Sequence, residues 1–152
     1  ERWPMQGREM QDRLDVERER AVTHARQAIA AAKLDVVASD VDPVSLRALE
    51  TNLANAGLDG VVRVQQADAT ALPKPPEGAT LACNPPYGER IGADVVGLYE
   101  RLGRRWQTFA GTTQWLVDGH PQFEAAFAGG QPRESHRLWN GPLPVQWRRY
   151  GV

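Results

Sequence analysis

The sequence contains one cysteine, Cys83, so it cannot build a disulfide framework of its own. That fits a reducing compartment, and a cytoplasmic location is expected. No apolar run approaches the roughly 20 residues that a membrane-spanning helix needs. The opening Glu1-Arg2-Trp3-Pro4 does not read as a signal peptide, and no membrane partner is expected. The three histidines (His24, His120, His136) and Cys83 lack metal-ligand spacing, which gives no reason to expect a metal. Excess charge is missing too: 18 basic and 19 acidic residues leave a net −1, no general electrostatic attraction for nucleic acid. Lysine is scarce, occurring only at Lys33 and Lys74; with the abundant alanine this reads as compositional bias before phosphate recognition. There is no Gly-x-Gly-x-x-Gly, which argues against a nicotinamide dehydrogenase, and no internal repeat or low-complexity tract.

What is present suits one globular domain: 152 residues, 41% hydrophobic and 24% charged. After a loop over residues 1–8, Met10, Leu14, Val22, Ala25 and Ile29 mark one side of a helix from Glu9 to about Lys33. Leu34 to Ser39 is a β-branched run expected as a buried strand. Asp42 can cap the next helix with Pro43 in its first turn, burying Leu46, Leu49 and Leu53 before a left-handed stop at Gly57. Strands are expected at Val61–Gln65, Ala79–Cys83 and Thr113–Val117, with a Pro-rich connection at Leu72–Pro76. A helix from Val95 to Phe109 presents Val95, Leu98, Leu102 and Trp106. A short helix from His120 to Ala128 closes at Gly129-Gly130, and Arg137 to Tyr150 reads as two strands joined around Asn140-Gly141-Pro142. The alternation implies an α/β sandwich with a mostly parallel sheet and an antiparallel strand at one edge.

The chemistry concentrates in Asn84-Pro85-Pro86-Tyr87. A nucleobase amine is a poor nucleophile because its lone pair is delocalised into the ring. Accepting hydrogen bonds from both N–H groups favours a pyramidal nitrogen whose lone pair is available. Asn84 offers a side-chain carbonyl, the two prolines a stiff backbone with carbonyls and no N–H, and Tyr87 an aromatic face for an extruded base. The turn also follows the carboxyl end of a strand, where open α/β sheets place their ligands. Composition alone would produce this tetrapeptide in roughly one in a few thousand chains of this length, so an inconsequential rigid turn is the poorer account.

Two acidic positions suit a cofactor. Asp40, at a strand end, can accept hydrogen bonds from both hydroxyls of a ribose; Asp42 is the second choice, since capping a helix would occupy it. Asp68, with Ala69 beside it, can hold an adenine amine, and Asn84 borders the same cofactor. Cys83 reads as a packed small hydrophobe. Trp139 and Trp147 read as core or edge packing, and Arg133, Arg137, Arg148 and Arg149 are candidate phosphate contacts on edge strands.

Taken in order, Arg2-Trp3-Pro4, Ser39-Asp40-Val41-Asp42, Asp68, Asn84-Pro85-Pro86-Tyr87-Gly88-Glu89-Arg90 and Asn140-Gly141-Pro142-Leu143 resemble one family over essentially the whole chain. It is the bacterial THUMP-containing 23S rRNA guanine-N2 methyltransferases, also described loosely as N6-adenine-specific DNA methylases. The tetrapeptide is shared by many amino-methyltransferases; the Gly-Glu-Arg extension narrows the choice. The resemblance implies a class I, Rossmann-like fold, S-adenosyl-L-methionine (SAM) as cofactor, and methyl transfer to guanine N2 in ribosomal RNA. It assigns Asn84, Pro85, Pro86 and Tyr87 to the target base, and Asp40 and Asp68 to the cofactor.

The sequence departs from the family in one respect. Family members open this domain with a strand and a glycine-rich Asp-Pro-x-Cys-Gly-Ser-Gly loop, and neither is found here. The chain is therefore expected to be a C-terminal part of the catalytic domain, dependent on an upstream segment of the same polypeptide. By itself it is expected neither to bind SAM well nor to methylate RNA. The competing readings are a DNA adenine-N6 or tRNA guanine-N2 methyltransferase, and a non-catalytic α/β binding module.

Overall fold

A computed structural model describes residues 7–32, 35–87, 94–127 and 130–151. The polypeptide forms two compact units, residues 1–67 and 68–152. Arg2-Trp3-Pro4, Gly88-Glu89-Arg90 and Gly129 lie outside the described residues.

The first unit is a helix followed by a β-α-β crossover: α1 (Arg8–Ala32), β1 (Val36–Asp40), α2 (Pro43–Asn55) and β2 (Val62–Gln66). β1 and β2 pair in parallel from Val36 opposite Val62 to Asp40 opposite Gln66. Asp42 caps α2, accepting from the backbone N–H of Val44 and Ser45 at 3.0 and 3.1 Å and from the Ser45 hydroxyl at 2.9 Å. These bonds, led by the one from Val44, hold the Asp42 carboxyl below its ordinary range. At the far end Gly57 adopts φ +67° and closes the helix with bonds from Gly57 N to Ala54 O and from Leu58 N to Leu53 O.

Burial falls short of expectation in this unit: of Leu46, Leu49 and Leu53 on α2, Leu46 is buried and the other two are half-buried. β1 was expected inside, but Val36 and Val37 are exposed. Their strand has β2 on one edge and α2 packed beside it, and no strand on its other edge among the described residues. On the apolar side of α1, Met10, Val22 and Ile29 are half-buried and Leu14 is exposed; Val16, on the opposite side, is exposed too. The Arg26 guanidinium donates to the Gly57 carbonyl at 3.0 Å and joins α1 to the end of α2.

The second unit holds β3 (Thr80–Cys83), α3 (Val95–Trp106), β4 (Thr113–Asp118), α4 (Phe123–Phe127), β5 (Glu134–Asn140) and β6 (Leu143–Gly151). Its sheet runs β3-β4-β6-β5, with β3 and β4 parallel and β6 and β5 antiparallel. The expected terminal strand pair is there, with β6 inserted between β4 and β5. α3 ends three residues before the expected Phe109, and α4 starts only at Phe123. α3 and α4 cover one sheet face around Tyr99, Leu102, Trp106, Phe109, Leu116, Phe123, Phe127 and Tyr150, with Leu81 and Cys83 packed against them. Burying each large side chain contributes about 1.5–3 kcal/mol, and the aromatics interlock, Tyr99 edge-on to Phe123 at 4.8 Å and Phe127 stacked on it at 5.1 Å. Of the helix positions expected inside, Leu98 is only half-buried; Tyr99 takes the deepest place.

Polar groups in this core are matched. Gln114 donates to the Trp106 carbonyl at 2.9 Å. Arg148 on β6 joins Asp118 at 2.7 Å and Glu124 at 3.1 Å. Burial pushes the Asp118 carboxyl upward even though Arg148 pulls it down. Arg148 is itself opposed by burial, but Asp118, Tyr150 and Glu124 outweigh that and hold it firmly charged. Among the described residues no helix is long and apolar enough to cross a membrane.

Candidate active site

β3 ends at Cys83 and delivers Asn84-Pro85-Pro86-Tyr87 beyond its carboxyl end, as the sequence pattern implies. Asn84 is exposed, and among the described residues its side-chain amide has no hydrogen-bond partner. Pro85 is buried, and Pro86 and Tyr87 are half-buried. The turn is thus anchored in its middle and open at its first residue.

Three residues to which sequence reading gave no role in the site shape this turn. The fully buried Tyr99 of α3 donates its hydroxyl to the Pro86 carbonyl at 2.5 Å. Burial, with Asp118 nearby, raises the Tyr99 phenol above its ordinary range, so it stays a donor at neutral pH. Gly119, just past β4, leaves room for the Tyr87 ring: a Cβ there would lie 2.8 Å from Tyr87 Cδ2 and 3.0 Å from Val145 Cγ1. Asn140, at the end of β5, donates from Nδ2 to the Tyr87 hydroxyl at 3.0 Å. Sequence reading placed Asn140 in a closing turn and in the family resemblance, without a role in the site.

These contacts sort the acceptors. The Pro86 carbonyl is engaged by Tyr99. The Asn84 side-chain carbonyl and the Pro85 backbone carbonyl take no hydrogen bond among the described residues. Two free acceptors beside an aromatic ring held at its edge and its hydroxyl can receive the two N–H bonds of a planar amine.

Asp68 starts the segment that leads toward β3. Its Oδ1 accepts from the Thr70 N–H and hydroxyl, both at 2.8 Å, and its Oδ2 is uncommitted among the described residues. The loop is pinned to α3 because Trp106 Nε1 donates to the Ala69 carbonyl at 3.2 Å and Arg105 Nε to the Leu72 carbonyl at 2.7 Å. In the first unit, Asp40 ends β1 exposed; its Oδ1 accepts from the Asp42 N–H at 2.9 Å, and its Oδ2 is likewise uncommitted among the described residues. Both Asp42 oxygens are taken up by the cap of α2. Asp40 is therefore the freer of the two carboxylates.

Other candidates change character. Arg148 and Arg149 are bound to Asp118, Glu124 and Glu134, which makes them structural pairs before they are phosphate contacts. Trp147 packs against Trp115 at 5.5 Å, as expected of edge packing. Trp139 does not pack that way and is 64% exposed. Among the described residues no group of three or more His, Cys, Asp or Glu side chains could hold a metal. A cavity of about 300 Å³ at the start of β4, lined by residues such as Gly111, Phe127 and Gly151, contains none of the motif residues. It is a gap at the opposite end of the strand from the turn.

A profile of the RMKL-like methyltransferase domain family, UPF0020, matches residues 3–148. The chain belongs to this family. It is 36% identical over 109 residues to ribosomal RNA large subunit methyltransferase K/L of Hahella chejuensis, covering 68% of the chain and 15% of the relative. The protein of the same name from Pseudomonas paraeruginosa is 32% identical over 131 residues, covering 82% and 18%. The chain thus spans less than a fifth of these curated relatives. Among solved structures, SMU.472 complexed with SAH superposes with a TM-score of 0.72 at 29% identity, over 78% of this chain and 32% of that one. TrmN from Thermus thermophilus matches at 0.60 and 23% identity, over 78% and 36%, a likeness of fold. The expected class I, Rossmann-like α/β fold is therefore the fold of this RMKL-like domain.

Proposed function

We propose that this RMKL-like chain is the base-holding part of a SAM-dependent methyltransferase acting on the N2 amine of a guanine in 23S ribosomal RNA. The observation that carries the reading is the turn after β3: two carbonyls, on Asn84 and Pro85, uncommitted among the described residues, with a Tyr87 ring that is held in place. Asn84 Oδ1 and the Pro85 carbonyl accept the two amine N–H bonds. That draws the nitrogen lone pair out of conjugation and aims it outward. Tyr87 stacks on the extruded base.

SAM supplies the activated methyl group when bound. Taken each by its own chemistry, Asp40 Oδ2 suits ribose hydroxyls and Asp68 Oδ2 an adenine amine, with Ala69 and Asn84 assigned to the same cofactor. Asp42 is a poorer choice because its carboxylate caps α2. No glycine-rich loop occurs in the sequence for the methionine end, so the reading includes a further segment of the polypeptide that supplies it. For the same reason, calorimetry on these 152 residues alone should detect no tight SAM binding. The ribosomal RNA substrate is supported by the names of the two K/L relatives, and guanine N2 by the Gly88-Glu89-Arg90 extension. A ribosomal substrate also implies the cytoplasm.

The test is methyl transfer by the full-length protein from labelled SAM to unmodified 23S rRNA, tRNA and DNA, followed by nucleoside analysis. N2-methylguanosine from the 23S transcript is expected; N6-methyladenine in DNA would replace the reading with the DNA alternative. Asn84→Ala should cut methyl transfer by about 100-fold or more, the usual scale for one donor or acceptor acting at the reacting atom, with SAM affinity nearly unchanged. Equal losses in both would remove Asn84 from the role assigned here.

A further inference from the structure

The tip of the β5–β6 hairpin carries exposed apolar residues, Leu138, Trp139 and Leu143, whereas Val145 and Tyr150 further along β6 are buried. Gly141, with φ +60°, precedes Pro142 in the two-residue connection, the sign pattern of a type II′ turn that keeps the ribbon tight. The Arg137 guanidinium lies over the Trp139 ring, 5.2 Å from its centroid. The hairpin's other arginines are used internally: Arg148 and Arg149 pair with carboxylates, and Arg133 donates to the Gly151 carbonyl. Arg137 has no carboxylate partner among the described residues. The tip therefore offers an indole surface and an unneutralised cation, side by side. A ligand that matches both is a π-face carrying negative charge, which describes a nucleotide.

Continuity with the site names the occupant. Asn140 follows Trp139 directly and holds the Tyr87 hydroxyl at 3.0 Å. Successive strand residues project to opposite sides, so the tip has the base-holding turn on its Asn140 side and the indole on the other. We infer that Trp139 and Arg137 form a platform for an unpaired nucleotide flanking the target base, the indole stacking on the base and the guanidinium meeting its phosphate. An extruded base leaves its neighbour unstacked, and a platform across the hairpin tip from the pocket can take up a nucleotide whose strand passes over the tip. The inference rests on the nucleic-acid reading of Asn84–Tyr87.

The experiment uses the full-length protein with unmodified 23S rRNA transcript and compares wild type with Trp139→Ala, Trp139→Phe and Arg137→Ala. Trp139→Ala should raise the KM for RNA by roughly 5- to 100-fold, the effect of losing one stacked base, with SAM affinity and Tm unchanged. Trp139→Phe should restore most of it, and Arg137→Ala should weaken RNA binding more at low than at high salt. An unchanged KM in Trp139→Ala overturns the platform while methylation by the wild type still stands. An unchanged KM with a lowered Tm also overturns it, and shows that the indole packs on protein. A wild type that methylates no RNA takes down both the reading and the platform.

Discussion

The two units of the chain are built from similar elements and differ sharply in what they bury. In the second, eight large side chains from two helices, two strands and the loop after α3 interlock, and the buried polar groups among the described residues have partners. In the first, Leu46 is the buried hydrophobic residue among those described, while Val36, Val37, Leu14 and Val16 face outward. A sheet two strands wide with one crossover helix cannot enclose apolar side chains on both faces. The turn proposed to hold the base therefore grows out of a dense scaffold, whereas Asp40 ends a strand that its own unit leaves half-covered. What the contrast teaches is that one half of the candidate chemistry is supported locally and the other is not.

The largest expected effect breaks the dense half. Phe123→Ala removes a fully buried ring between Tyr99 and Phe127 and should cost about 3–5 kcal/mol in denaturant unfolding. The matching change Val37→Ala in the first unit should cost well under 1 kcal/mol because little area leaves water. Comparable losses for the two would erase the contrast.

A smaller effect comes from alkali. Burial pushes the Tyr150 phenol up to about 12 from 10.0; Arg148 opposes this, while Asp118 and Glu124 add to it. Because the folded pKa is raised, the unfolded chain loses its proton first. Stability is then complete below pH 10 and falls as pH rises from 10 toward 12, by an amount on the order of 2–3 kcal/mol. Tyr150→Phe should flatten that fall; a variant that follows the wild-type curve would show that another group titrates.

The smallest sharpens the first unit. Asp42→Ala removes the cap of α2 and should cost about 1 kcal/mol, visible as faster amide hydrogen exchange at the start of α2, with second-unit amides unchanged. Faster exchange throughout both units would mean that they unfold as one.

Legibility followed the reach of each signal. Asp42, Pro43 and Gly57 marked the ends of α2 because caps act within one turn. The β-branched runs located β1 and β2 to within two residues, since strand propensity is local. Burial of β1 was misjudged because a run of valines reports what a strand would prefer to cover, and its neighbours decide whether they do. Tyr99 was passed over for Leu98 since adjacent helix positions differ by about 100° of rotation, and only the packed sheet shows which one faces it. Trp139 was expected to pack, but its place at a hairpin tip leaves it in water.

By itself, then, the sequence determined the order of the elements, the α/β class and the acceptor-rich turn at Asn84–Tyr87. Each of these rests on residues within a few positions of one another. Tertiary structure alone decided how that turn is held. Tyr99 reaches Pro86 across 13 positions, Asn140 reaches Tyr87 across 53, and Gly119 clears space for the Tyr87 ring from the turn after β3. Such contacts depend on sheet order and helix docking, and no local pattern along the chain encodes them.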